Sequence, residues 1–232
     1  MFNRKLIDVC RQMKPDLLFV NKGMIVKKET LAEIKKMGIK TANWFLENTY
    51  REDYFNWFLE NYQHYDYYFC NDTRLFDEFS GRSATKFYNI PVAIDPRYYH
   101  VDHLTEEERK KYSCDVCFVG AFDKKRERIL ERINDMGNIN IKIFGWKGWE
   151  KSPLARLYHG PLTVGEMAKL FSCAKICMNA NVEPIINGLN MKNLEIPASG
   201  GFQISDHPKD IDDFFTVGEE IIVYDKEDQI PG

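Results

Sequence analysis

The chain has 232 residues, 44% of them hydrophobic and 29% charged, with a net charge of −3 and a pI near 6.0. These values exclude a disordered or collagen-like chain and give no electrostatic basis for binding bulk nucleic acid. One value is unusual: aromatic residues reach 14%, and 12 of the 32 lie between positions 44 and 69.

Leu6, Val9, Cys10 and Met13 recur at helical spacing, so residues 3–14 read as an amphipathic helix that Pro15 ends. Residues 16–20 form a short apolar strand, and Asn21-Lys22-Gly23 a turn. The pattern then predicts helices over 30–37, 53–61 and 73–79 and strands over 39–45, 65–70 and 84–90. Strict alternation of this kind signals a parallel sheet covered by helices. Residues 91–112 carry Pro91, Pro96 and a run of charged side chains and read as a connector. A second alternating series follows. Strands are predicted over 114–119, 139–144, 175–179, 202–205 and 220–224, with helices over 124–136, around 164–171 and over 190–199, and a helical turn over 209–214. The expected architecture is α/β: two doubly wound, Rossmann-like parallel-sheet units. Asn43-Trp-Phe-Leu-Glu-Asn48 recurs as Asn56-Trp-Phe-Leu-Glu-Asn61, but two copies do not make a repeat protein, and their contexts differ.

The N-terminus shows no export signal and no apolar run approaches a membrane span, which points to the cytosol with no integral membrane segment. The six cysteines are therefore expected to be reduced. Cys114 and Cys117 fall on one predicted strand, where positions three apart face opposite ways, and this argues against their converging on zinc with Cys173 and Cys177. Buried core thiols are the expectation.

Ligands of open α/β sheets bind beyond the carboxyl ends of the strands, so the strand-to-helix junctions carry the candidate chemistry. Gly120 ends a strand and precedes Lys124, Lys125 and Arg126. This is either a phosphate cradle or a plain turn with a solvated basic helix start, and no G-x-G-x-x-G fingerprint is present. Gly145, Trp146 and Trp149 follow another strand; the tryptophans either frame a flat ring or pack beneath the loop. His159-Gly160 offers a hydrogen-bonding side chain or a structural one. Asn190 is placed to cap a helix carrying Lys192 and Glu195 on one face, which is either a surface ion pair or a cation for phosphate beside a carboxylate for sugar hydroxyls.

The residues Asp115-Val-Cys-Phe-Val-Gly120, Arg126, Gly145, His159-Gly160 and above all Asn190-Met-Lys-Asn-Leu-Glu195-Ile-Pro-Ala-Ser-Gly-Gly-Phe resemble the C-terminal half of group 1 glycosyltransferases, with the CgeB-like, spore-maturation subgroup as the nearest match. Residues 90–100 resemble that family's interdomain junction. The resemblance implies a GT-B fold, with two Rossmann-like halves facing across a cleft. It places a nucleotide-diphosphate sugar on the C-terminal half and the acceptor on the N-terminal half. By position, Glu195 binds the donor ribose. Lys192, Asn193 and the Gly120 loop with Arg126 hold the diphosphate. Gly145, His159 and Gly160 lie near the nucleotide, and Asn190 starts the donor helix. Neither a bound metal nor a tightly held cofactor is implied. The acceptor, whether carbohydrate, lipid or protein, is open. The implied units are 1–95 and 113–232, joined by 96–112.

Two departures stand out. Many members of the family carry a glutamate eight positions before the ribose-binding one; here that position is Asn187, and Glu183 is out of register. The N-terminal unit also opens on a helix, and the chain stops at Pro231-Gly232, so the resemblance implies a shortened acceptor half. Two alternatives accompany glycosyl transfer: a nucleotide-sugar-binding module without turnover, and a GT-B-type epimerase. The aromatic excess falls in the acceptor half. Trp44, Glu47 and Asn48 suit a sugar ring, whereas the aromatics of residues 54–69 read as a core of large side chains plus an exposed aromatic surface.

Overall fold

The computed structural model describes residues 1–146, 148–184 and 186–230. Expectations touching Lys147 in the Gly145 loop, Ile185, and the end at Pro231 and Gly232 lie outside the described residues. The chain divides into two compact units, Met1–Val92 with Ile186–Leu189, and Ala93–Ile185 with Asn190–Gly232.

The first unit runs α1 (Phe2–Met13), β1 (Leu17–Asn21), α2 (Lys28–Lys36), β2 (Lys40–Trp44), α3 (Glu52–Asn61), β3 (Tyr67–Cys70), α4 (Thr73–Phe79) and β4 (Lys86–Asn89). Lys14 stops α1 in a left-handed conformation, and Asp72 caps α4 by accepting from the Arg74 N–H at 3.1 Å. All four strands are parallel and stand in the order β1-β2-β3-β4. Parallel crossovers are right-handed, so an order that never reverses puts every connecting helix on one face. The packing agrees. Leu18 and Val20 lie with Leu31 of α2, while Tyr68, Cys70 and Phe87 lie with Phe58 of α3 and Leu75 of α4. The opposite face carries Leu17, Phe19, Trp44, Tyr67, Phe69 and Tyr88, all partly or well exposed. The expectation of double winding is thus corrected for this unit, which is wound on one side only.

The second unit runs α5 (Glu106–Tyr112), β5 (Cys114–Val119), α6 (Lys124–Asp135), β6 (Ile141–Phe144), α7 (Val164–Cys173), β7 (Ala174–Asn179), α8 (Lys192–Ala198), β8 (Gln203–Asp206) and β9 (Ile222–Tyr224). Its parallel strands stand in the order β6-β5-β7-β8-β9. The chain moves from β5 outward to β6 and then back across to β7, so the winding reverses between β5 and β7. Helices cover both faces accordingly: Val116 and Phe118 pack with Ile129, Leu130 and Ile133 of α6, and Cys117 packs with Leu170 and Phe171 of α7 and Ile196 of α8. Helix α5 arises inside the stretch read as a connector, where Thr105 and Glu108 form a reciprocal capping box.

Of the aromatics of residues 54–69, most join the core, and Tyr67 and Phe69 lie on the open sheet face. Phe58 is fully buried and touches the rings of Tyr62 at 4.8 Å and Phe79 at 4.7 Å. Each of the six cysteines carries a thiol and not a disulfide, and five are buried. The argument from strand alternation fails for one pair. The N–H groups of Asp115 and Val116 both donate to Asn140 O, so alternation slips there and Cys114 joins Cys117 in one cluster. Among the described residues no group of His, Cys, Asp and Glu forms a metal site, and no helix is long and apolar enough to cross a membrane.

Candidate functional site

Gly120, Gly145 and Gly160 converge at the carboxyl ends of β5 and β6. Gly120 N donates to Phe144 O at 2.9 Å, and Gly145 N donates to Gly160 O at 3.0 Å. Gly145 has φ +139°, and a Cβ there would lie 2.2 Å from Gly120 O, so only glycine fits. Trp149 is buried beneath this loop and its Nε1 donates to Gly120 O at 3.0 Å. Trp146 is 77% exposed, so of the two tryptophans one packs under the loop and the other projects from it. His159 lies on the next segment, its N–H donating to Ile143 O and its ring stacked on Phe144 at 5.3 Å. Burial and the nearby Lys142 hold the His159 imidazole below its ordinary pKa.

The Gly120 N–H is consumed by the sheet and does not face a ligand. The glycine has another use: a side chain there would press on the Phe118 ring and on Arg126 Nη1, so its absence lets the guanidinium lie against the loop. Arg126 Nη1 donates to Ala121 O at 3.0 Å and Nε to Ala180 O at 2.8 Å, with its cation 5.5 Å from the Phe118 ring centre. Ala121 follows β5 and Ala180 follows β7, so Arg126 spans the point where the sheet's winding reverses. Burial pulls its pKa down, opposed by the charges of Asp123 and Asp206.

Behind Arg126 lies a buried polar lattice. Lys125 Nζ donates to Asp206 Oδ2 at 2.9 Å, both side chains being almost wholly buried. Asp206 also accepts from Asn181 N at 2.7 Å and Asn181 Nδ2 at 3.0 Å. Asn190 Nδ2 donates to Asn179 Oδ1 and to Asn181 Oδ1, and Asn193 Nδ2 donates to Ser205 Oγ. Asn190 Oδ1 accepts from the N–H groups of Lys192 at 2.8 Å and Asn193 at 3.3 Å. The expected cap is present, and it uses the first helical N–H groups itself, so these do not stand open to an anion.

On α8, Glu195 is buried and both its oxygens are engaged. Oε1 accepts from the Tyr99 hydroxyl at 2.7 Å, and Oε2 accepts from Lys192 Nζ. The Lys192–Glu195 pair is therefore not a surface pair, since only the lysine side chain is partly exposed. Arg126, Asn190, Lys192, Asn193 and Glu195 are linked through Ala180 and Asn181 at the end of β7, and Gly120 lies beside Arg126.

The remaining candidates belong to the first unit. Trp44 is half-buried on the open sheet face, 6.0 Å from the Phe19 ring. Glu47 is exposed and pairs with Lys22 at 3.0 Å; Asn48 Oδ1 accepts from Tyr50 N at 3.1 Å, a local turn. Asn187, standing where a glutamate was expected, also belongs to this unit. Its N–H donates to Asp72 Oδ1, and its Nδ2 donates to Thr73 Oγ1 at 3.0 Å. Sequence reasoning missed Tyr99, Asn179, Asn181 and the Lys125–Asp206 pair. The density of asparagine, five between 179 and 193, was the available signal for the lattice.

Residues 125–231 match the family model described as glycosyl transferase-like. The second unit is thus similar to a glycosyltransferase domain. Among solved structures, a trehalose-6-phosphate synthase studied with bisubstrate glycomimetics aligns at TM-score 0.62 and 13% identity, over 99% of this chain and 67% of that one. A putative UDP-N-acetylglucosamine 2-epimerase from Listeria monocytogenes aligns at 0.52 and 10%, over 90% and 62%. The MnaA–UDP structure of S. aureus aligns at 0.50 and 12%, over 88% and 61%. Likeness at this identity establishes the GT-B type of fold, two Rossmann-like parallel-sheet units. The chain spans about two thirds of the first of these proteins and about three fifths of the other two. No curated protein sequence matches the chain.

Proposed function

We propose that the chain acts in glycosyl transfer, moving a sugar from a nucleotide-diphosphate sugar to a carbohydrate, lipid or protein acceptor, and that it is closest to the CgeB-like subgroup. Residues 113–232 are the donor unit and residues 1–95 the acceptor side. One observation carries this reading: Arg126 spans the winding reversal between β5 and β7, where open α/β sheets take their ligands, and its hydrogen-bond partners there are main-chain carbonyls. A guanidinium held this way retains its charge for an anion.

In this reading Arg126 and Lys192 stabilise the charge that builds on the departing diphosphate, Glu195 accepts the ribose hydroxyls, and the Gly145–Gly160 crossing sets the floor on which the nucleotide rests. Lys192 leaves Glu195 for the phosphate when the donor arrives. His159, stacked on Phe144 with its pKa lowered by burial and by Lys142, serves as a hydrogen-bonding wall. Trp44, Glu47 and Asn48 are assigned to the acceptor. The epimerase fold neighbour supports a second reading, turnover of a nucleotide-sugar without an acceptor.

The test is thermal denaturation with UDP, GDP and ADP, since a ligand bound only by the folded state raises the melting temperature, by the equivalent of about 2.7 kcal/mol at a hundred times its Kd. Stabilisation by at least one diphosphate, lost in Arg126→Met, is expected. No response to any of the three sinks the reading. Product formation from a nucleotide-sugar without an acceptor replaces transfer with epimerisation.

A further inference from the structure

Glu195 is held by two partners of different character. Lys192 comes from the preceding turn of the same helix and its side chain is partly exposed. Tyr99 comes from 96 residues away in sequence, and its ring is buried among Leu170, Phe171 and Ile196. Its backbone is fixed as well, because Tyr99 N donates to Pro96 O at the end of a short helical turn that Asp95 caps. One partner reaches solvent; the other is held inside the apolar core.

Building on the donor-site reading above, we propose that Tyr99 is the positioning residue for nucleotide recognition: its hydroxyl fixes the plane of the Glu195 carboxylate, so that the edge Lys192 vacates is presented to the ribose diol. The physical basis is the geometry of a carboxylate, which has two acceptor oxygens and about four lone-pair directions. A single O–H bond at 2.7 Å to Oε1 restrains the last torsion while leaving Oε1 one acceptor direction and Oε2 open once the lysine moves. Without the phenol the carboxylate rotates within its pocket, and two adjacent sugar hydroxyls no longer meet a fixed pair of acceptors. The phenol is an obligate donor here, because burial and the adjacent carboxylate push its ionisation far above the ordinary tyrosine range.

The test compares wild type with Tyr99→Phe by calorimetry. The probes are whichever of UDP, GDP and ADP binds, its 2′-deoxy form, and inorganic pyrophosphate. Wild type is expected to prefer the ribose form. The variant is expected to lose about tenfold in affinity for it, to lose the preference over the deoxy form, and to bind pyrophosphate as before. A merely structural role for Tyr99 weakens all three ligands together and overturns the proposal. Retained ribose preference in Tyr99→Phe overturns it while leaving the donor site standing. Absence of any nucleotide binding in wild type overturns both. Glu195→Gln provides the second variant. It is expected to lose the same ribose preference, and its combination with Tyr99→Phe is expected to cost no more than either alone. Additive losses also overturn the proposal.

Discussion

Lys125 and Asp206 stand beside the candidate site as a deeply buried pair that is expensive to separate. Two charges this deeply buried are tolerated because each is matched, and Asp206 gains two further donors from Asn181. Lys125→Met is expected to strand the carboxylate and lower stability by about 3–5 kcal/mol in urea denaturation. Asp206→Asn, which keeps one acceptor oxygen but leaves the buried Lys125 without its counter-charge, is expected to cost a similar amount. At this scale the sequence was only partly legible. Glu195, Asn190 and Arg126 were found because helix and strand spacing placed them at junctions and the family resemblance gave those junctions a role. Their roles shifted on contact with neighbours: the Gly120 amide is spent on Phe144, and Asn190 spends its cap on the helix. Tyr99 was invisible as a site residue because its partner lies far along the chain, and no local pattern encodes such a pairing.

Among the elements, α5 shows how charge fastens one helix to another. Lys169 of α7 pairs with Glu108, and Glu166 accepts from Lys111 and, at 3.1 Å, from the Tyr112 hydroxyl. The Glu108 carboxyl is held down to about 2, by Lys169 first and the Thr105 N–H second; that of Glu166 is held to about 2, by the Thr163 N–H and hydroxyl first and by Lys111 and Tyr112 after these. Both folded values lie below the ordinary carboxylate value, so their stabilisation is complete above it and fades as pH falls from about 4.5 toward about 2. Urea stability is expected to drop through that window, and Glu166→Gln to flatten the drop. An unchanged slope in the variant argues against the fastening. The element scale was also where sequence reasoning was strongest, since every helix and strand expected from periodicity is present within a few residues. The repeated hexapeptide shows why such reasoning has a limit. Its first copy leaves β2 and its second lies in α3, so identical residues take different conformations according to what they pack against.

For the molecule as a whole, the two units differ in how the chain returns across its sheet. Alternating helices and strands announced two parallel sheets, but not the order of the strands within them, because order depends on which edge each crossover reaches. That order separates the two units: a reversal beside Arg126 in the second, none in the first.

The one-sided winding of the first sheet has an outcome in mutational tolerance. Parallel strands ordinarily need apolar residues at every position, since both faces are covered. Here β1, β3 and β4 behave instead like strands with a wet side, and tolerance follows parity; β2, with Thr41, Ala42 and Asn43 all buried, is the exception. Phe19 is half exposed and its neighbour Val20 is buried against Leu31. Phe19→Thr is expected to cost under about 1 kcal/mol and Val20→Thr about 2 kcal/mol or more. A saturation scan of the whole chain, scored by abundance, is expected to show a rhythm of two along β1, β3 and β4 and none along β2, β5 and β7. Equal sensitivity at Phe19 and Val20 would mean that the open face is covered in the cell.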